Sequence, residues 1–100
     1  MFRYQRTARI RSGKGSQAIQ WAKDIAEYLN ENYPPASSQA YMEVFGDYAK
    51  VHWNSDFEDL ATLEKINEKL MTDREYMAMI DAAGELFIEG ATQDTLIQSL

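Results

Sequence analysis

Positions 2–11 alternate: Phe2, Tyr4, Ala8 and Ile10 share one parity, and Arg3, Gln5, Thr7, Arg9 and Arg11 share the other. A period of two predicts a strand with one apolar face. Arg6 breaks the apolar series. Ser12-Gly13-Lys14-Gly15-Ser16 predicts a turn, with Ser16 as the cap of a following helix. Ala18, Ile19, Ala22, Ile25, Ala26, Leu29 and Tyr33 then recur at helical spacing, with Trp21 and Tyr28 widening the stripe. Pro34-Pro35 ends that helix, because proline lacks an N–H and disfavours helical geometry in the residue before it.

From Gln39 to Phe45 the alternation returns, with Tyr41, Glu43 and Phe45 on one side and Ala40, Met42 and Val44 on the other. Gly46-Asp47 supplies a turn, and Lys50-Val51-His52-Trp53-Asn54 is a third strand, so 39–54 reads as a hairpin. Ser55-Asp56-Phe57-Glu58 fits a capping box that opens a second helix with Leu60, Leu63, Ile66 and Leu70 on its stripe. Thr72-Asp73-Arg74-Glu75 repeats the capping pattern, which predicts a break near 72. A third helix follows, with Tyr76, Ile80, Ala83 and Phe87 on one face and Gly90 as its C-cap. Asp94 to Leu100 alternates once more and predicts a final strand.

The order β-α-β-β-α(α)-β is the split βαβ plan of a ferredoxin-like α+β sandwich: a four-stranded antiparallel sheet with helices on one face. The other face is left bare. It would carry Tyr41, Phe45 and Ile97, or in the opposite parity Met42, Val44 and Trp53. Either set makes an apolar patch of a kind monomers rarely expose, so a second copy packed sheet to sheet, a homodimer, is expected.

One hundred residues set the scale of one domain over 1–100, with roughly 65% of the unfolded surface buried on folding. Cysteine is absent, which excludes disulfides, thiol catalysis and Cys-based metal sites, and the single His52 excludes a site with several His ligands in one chain. No metal is expected. Arg3, Arg6, Arg9, Arg11 and Lys14 stand in the first fourteen positions without an acid among them, while the rest of the chain carries all 16 acids. With a net charge of −6, the bulk of the molecule repels phosphate, so neither nucleic acid nor an anionic membrane is expected as a partner. The N-terminus lacks the apolar stretch of a signal peptide and no run approaches the length of a membrane span, which predicts a cytoplasmic protein.

Three stretches carry a family resemblance: Arg9 to Ala18, a strand entering a glycine turn and helix; Met42-Glu43-Val44-Phe45-Gly46 with Val51-His52-Trp53-Asn54-Ser55-Asp56-Phe57; and Thr72-Asp73-Arg74-Glu75-Tyr76 with Leu86-Phe87-Ile88-Glu89-Gly90. Together they resemble the dimeric α+β barrel superfamily, in particular its small NIPSNAP-like and antibiotic-monooxygenase-like members. The resemblance implies a dimer whose two sheets enclose a barrel, with pockets between sheet and helices. The activities it implies range from cofactor-free oxygenation and isomerisation to haem chemistry and ligand sensing. Haem-degrading relatives place their histidine on a helix, whereas His52 falls on a predicted strand, so no cofactor is expected.

Gly13-Lys14-Gly15-Ser16 is not a phosphate loop. Ala8 stands where the first glycine would be and Gly15 where Ser or Thr would follow the lysine. If the even residues of the first strand pack on the helices, Arg3, Thr7 and Arg9 point into the barrel. Lys50, His52 and Asn54 join them, as do Tyr41 and Glu43. Arginines in a water-poor space are paired or bind anions. One account is an internal network in which Glu43 neutralises Arg9. The other is a pocket for an amphipathic or aromatic carboxylic acid, such as a fatty or oxo acid, with Arg3, Arg9 and His52 on the charge and Tyr41, Phe45 and Trp53 as walls. An enzyme of the cofactor-independent oxygenase or isomerase type, with His52 as the base, is the alternative. A structural or regulatory dimer with a filled barrel is a third.

Overall fold

The computed structural model describes residues 1–46 and 49–100. Along the chain run β1 (Phe2–Arg9), α1 (Gly15–Asn32), β2 (Ser37–Met42), β3 (Lys50–Phe57), α2 (Leu60–Met71), α3 (Arg74–Ala83) and β4 (Gln93–Gln98). The strands form one antiparallel sheet in the order β2-β3-β1-β4, with the helices on one face: the ferredoxin-like sandwich. Among the described residues no helix is long and apolar enough to cross a membrane.

Local chemistry sets the joints. Gly13 turns the chain from β1 toward α1 at φ 81°, a backbone region that side chains with a Cβ rarely enter. α1 begins at Gly15 with no side-chain cap, so Ser16 does not serve as one. It stops at Asn32, two residues before the prolines. The break near 72 is present, with Asp73 capping α3 by accepting from the Tyr76 N–H at 3.0 Å. Asp73 also accepts the hydroxyls of Tyr28 and Tyr33, each at 2.6 Å, and so ties the start of α3 to the end of α1.

Several boundaries differ from the sequence pattern. The capping box at Ser55–Glu58 is not made: β3 continues to Phe57, and Asp59 caps α2 through the Thr62 N–H at 2.8 Å. Ser55 instead meets Ser38 across the strands, and the neighbouring Asp56 pairs with Arg3. β1 is long enough to pair with β3 as far as Phe57. β2 starts at Ser37 and ends at Met42, so Val44 and Phe45 lie beyond the sheet. Of the expected Gly46-Asp47 turn, Gly46 has φ 101°, and Asp47 lies outside the described residues. α3 ends at Ala83 with Gly84 in the C-cap position. Phe87 therefore lies past the helix, in a bridge with Ile10. Gly90 turns the chain before β4, with φ 82°.

The core falls into two clusters on the helix side. Ala8, Ile10, Ala18, Ala22, Val51 and Phe87 pack together, with Trp21 and Trp53 against them. Ala36, Phe57 and Ile66 form the second cluster, with Tyr4, Leu63 and Leu70 around it. Trp21, Trp53 and Phe87 meet edge to face, with centroids 5.5–5.9 Å apart.

The open face does not carry the expected apolar patch. Tyr41 and Ile97 lie on it, 51% and 46% exposed, but on the two opposite edge strands. Between them the face is polar: Gln5 and Thr7 on β1, His52 and Asn54 on β3.

Two outcomes follow from this packing. Phe87→Ala is expected to lower the unfolding free energy by about 3–5 kcal/mol in urea titrations; a loss well under that range would contradict a central role for the aromatic trio. The hydrogen bonds from Tyr28 and Tyr33 hold the Asp73 carboxyl below its ordinary value of 3.8. Its contribution is thus fully present above that value and lost as pH falls through the lower folded value. Asp73→Asn keeps the cap, since Asn caps helices as well as Asp. It is expected to flatten the acid limb of the urea midpoint against pH, and an unchanged acid limb would contradict the assignment.

Candidate functional site

Strand register decides which side chains meet. Arg6 pairs with Trp53 and Asp94, Tyr4 with Ser55 and Leu96, and Ser38 with Ser55, and all of these lie on the helix side of the sheet. Between that side and the three helices lies a cavity of about 590 Å³. Trp53, Trp21 and Phe87 wall one end, continuous with the first core cluster, and Phe57, Leu63 and Ile66 wall the other. Both indole N–H groups are already used: Trp21 donates to the Met79 carbonyl at 2.8 Å and Trp53 to the Ala22 carbonyl at 3.2 Å. The tryptophans therefore present ring faces and edges to the cavity.

Two polar clusters interrupt the inner lining, and Asn67, Glu89 and Thr92 stand at its exposed margin. On the β1–β4 side, Arg6 grips Asp94 with two parallel hydrogen bonds, Nε to Oδ1 at 2.8 Å and Nη2 to Oδ2 at 2.9 Å. The Tyr4 hydroxyl donates to Asp94 Oδ2 at 2.6 Å and accepts from Arg6 Nη2 at 3.0 Å. Hydrogen bonding from Arg6 holds the Asp94 carboxyl below its usual range. Burial, followed by the bond to Asp94, pushes the Tyr4 phenol up to about 12. Tyr76, on α3 in the same lining, is raised by burial. Both phenols are therefore protonated at neutral pH. On the β2–β3 side, Ser38, 5% exposed, shares a 2.7 Å hydrogen bond with the Ser55 hydroxyl. Asn30 fixes the Ser38 backbone, accepting from its N–H at 2.8 Å and donating to its carbonyl at 2.9 Å.

The residues singled out from the sequence divide between the two faces. Arg3, Thr7, Arg9, His52 and Asn54 share the open face with Tyr41. There Thr7 Oγ1 lies 2.9 Å from His52 Nδ1, and His52 Nε2 lies 2.8 Å from Glu43 Oε1, a continuous hydroxyl–imidazole–carboxylate chain. Arg3 is held by Asp56 in a two-pronged pair at 2.8 and 3.1 Å, which lowers the Asp56 carboxyl. Trp53 points the other way and is the sole member of that group lining the cavity. Phe45, 90% exposed beyond β2, walls neither face. The pocket was expected at the bare sheet face; the cavity that a single chain forms lies on the helix side.

Arg6, Asp94, Tyr4, Tyr76, Ser38 and Ser55 were not singled out from the sequence. One signal for them was there: Arg6 interrupts the apolar parity of β1, and a cation on the helix-facing side needs a partner.

No curated protein matches the chain. Among solved structures it is similar to an uncharacterised NIPSNAP domain protein from Burkholderia xenovorans, with 16% identity, 100% of this chain and 95% of that one covered, and TM-score 0.82. It is also similar to a NIPSNAP family protein of unknown function from Agrobacterium tumefaciens, with 15% identity, coverages of 97% and 86%, and TM-score 0.80. A third is an antibiotic biosynthesis monooxygenase, with 9% identity, coverages of 100% and 99%, and TM-score 0.76. At these identities the likeness is one of fold, and it agrees with the resemblance read from the sequence. A family model matches residues 2–97, and by it the chain belongs to the family of unknown function DUF6039.

Proposed function

We propose that the protein binds a small, flat, largely apolar molecule in the cavity between sheet and helices. The observation that carries this is the cavity itself: about 590 Å³, within the range of small-molecule sites, walled by aromatic and aliphatic side chains and interrupted at two places by polar groups. Apolar walls facing such a space lack packing partners on one side, and a bound molecule supplies them.

The pairing of Arg6 selects among ligands. Asp94 already neutralises the guanidinium through two hydrogen bonds, so an incoming carboxylate meets a satisfied cation and a nearby like charge. An uncharged aromatic molecule fits this cavity better than the amphipathic acid expected from Arg3, Arg9 and His52, which stand on the opposite face. An oxygenase or isomerase with His52 as base is the weaker reading of the cavity, because His52 and the cavity are on opposite sides of the sheet.

A second copy packed on the open face accompanies this proposal. Arg3 and Lys50 share that face with Asp56 and the His52-bound Glu43, so both signs of charge are available for a self-complementary contact. Val44 and Phe45, 68% and 90% exposed beside it, gain cover in the same step.

The cavity is tested with diethylnaphthalene as probe, followed by quenching of Trp21 and Trp53 fluorescence. Saturable quenching is expected in the wild type, and Ala83→Phe, which fills the cavity from α3, is expected to abolish it without unfolding the chain. Unchanged binding in that variant would contradict the site. Wild type is expected to favour a neutral naphthalene over naphthoate, and Asp94→Asn to improve naphthoate binding by roughly tenfold, or about 1.4 kcal/mol. A naphthoate affinity indifferent to Asp94 would contradict the role given to the pair. In sedimentation equilibrium the protein is expected at twice its 11.5 kDa chain mass, and a monomer at all concentrations would refute the second copy.

A further inference from the structure

Counting protons at the two polar ends of the cavity narrows the ligand class, and the count rests on the reading of the cavity as the binding site. Ser38 and Ser55 bring two hydroxyl protons. Their mutual bond at 2.7 Å uses one, and among the described residues neither hydroxyl meets another acceptor. One O–H of this pair, in which Ser38 is buried and Ser55 half-buried, is therefore left to donate into the cavity both serines line. At the other end Arg6 commits Nε and Nη2 to Asp94 and Tyr4, which leaves the two protons of Nη1. The half-buried Tyr76 hydroxyl, in the same lining, makes no hydrogen bond among the described residues. The carboxylate there is occupied, since both Asp94 oxygens accept from Arg6 and one of them also from Tyr4. Glu89 and Asn67 line the cavity from exposed positions. Each inner end thus holds donors that no acceptor among the described residues takes up.

We infer that the ligand carries a hydrogen-bond acceptor, a carbonyl or ether oxygen, at each end of an apolar body: one for the Ser38–Ser55 pair and one for Arg6 and Tyr76. Ser55 lies opposite Tyr4, two residues from Arg6, so the two anchor points are diagonal neighbours about 7–8 Å apart at the backbone. Their side chains diverge from there, Ser55 toward β2 and Arg6 toward β4. The acceptors therefore sit at opposite ends of a body about two fused rings long. A hydrogen bond gained by a protein donor contributes roughly 0.5–1.5 kcal/mol net, and a ligand lacking these oxygens forgoes one at each end.

The experiment compares three naphthalenes of nearly equal shape by calorimetry and tryptophan quenching: one with an acetyl group at each end, one with a single acetyl and one with an ethyl group at each end. The diacetyl compound is expected to bind roughly tenfold more tightly than the diethyl, with the monoacetyl between them. The double variant Ser38→Ala/Ser55→Ala removes both partners of the hydroxyl pair at once and so leaves neither unsatisfied, which keeps the fold. It is expected to lower diacetyl affinity to the monoacetyl level and to leave diethyl affinity unchanged. Tyr76→Phe is expected to weaken the diacetyl compound and spare the diethyl. Equal affinity for diacetyl and diethyl, or parallel loss of both in the double variant, overturns this inference while the binding cavity stands. Binding of none of the three overturns the cavity reading as well.

Discussion

Arg6, half-exposed on the helix-facing side of a central strand, is held in place by its partners, and the two halves of the apolar core lie to either side of it. Arg6 is answered from β4 by Asp94, and Tyr4 closes the triangle with a hydrogen bond to each. Polar groups so engaged keep their geometry and cannot be packed over as a leucine would be. The apolar core therefore gathers on either side of them. Small alanines of β1 and α1 let the chain close tightly around Val51 and Phe87, and Phe57 and Ile66 anchor the far end. What lies between is the cavity.

The sheet consequently separates two kinds of chemistry. Toward the helices it offers a half-open, aromatic-walled space with two polar ends. Toward the other side it offers an open polar face on which Thr7, His52 and Glu43 form one hydrogen-bonded chain and Arg3 and Asp56 another. The helix side is suited to holding a molecule by shape and burial, and the open side to meeting a surface of mixed charge. Solved proteins of the same fold, named as NIPSNAP domain proteins and a monooxygenase, share the scaffold at identities of 16% or less, so side chains and not the scaffold carry any difference in activity.

Periodicity in the sequence was enough for the order of elements, the end of α1 before Pro34, the break at Asp73 and the face shared by Thr7 and His52, because each depends on neighbours within a few positions. It failed where a local signal competed with a distant partner. Ser55 and Glu58 look like a capping box, yet Arg3 and Ser38, distant in sequence, claim Asp56 and Ser55 for the strand. Phe87 continues the helical spacing of α3, but its pairing with Ile10 lies outside the helix. The lining of the cavity was not legible, since empty volume depends on how side chains from six elements fail to meet. Arg6 was its one visible trace, an interruption whose meaning needed Asp94 to be placed beside it.

The central claim is that the space around Trp53 and Arg6 is a real, accessible, mainly apolar volume. The most direct test is a crystal structure determined under xenon pressure, because xenon enters apolar cavities of this kind. Xenon density between Trp53 and Ile66 on the helix side of the sheet, with the Arg6–Asp94 pair intact beside it, is the predicted result. A core closed over that position, with α3 packed down onto Trp53 and no xenon inside, would contradict the account.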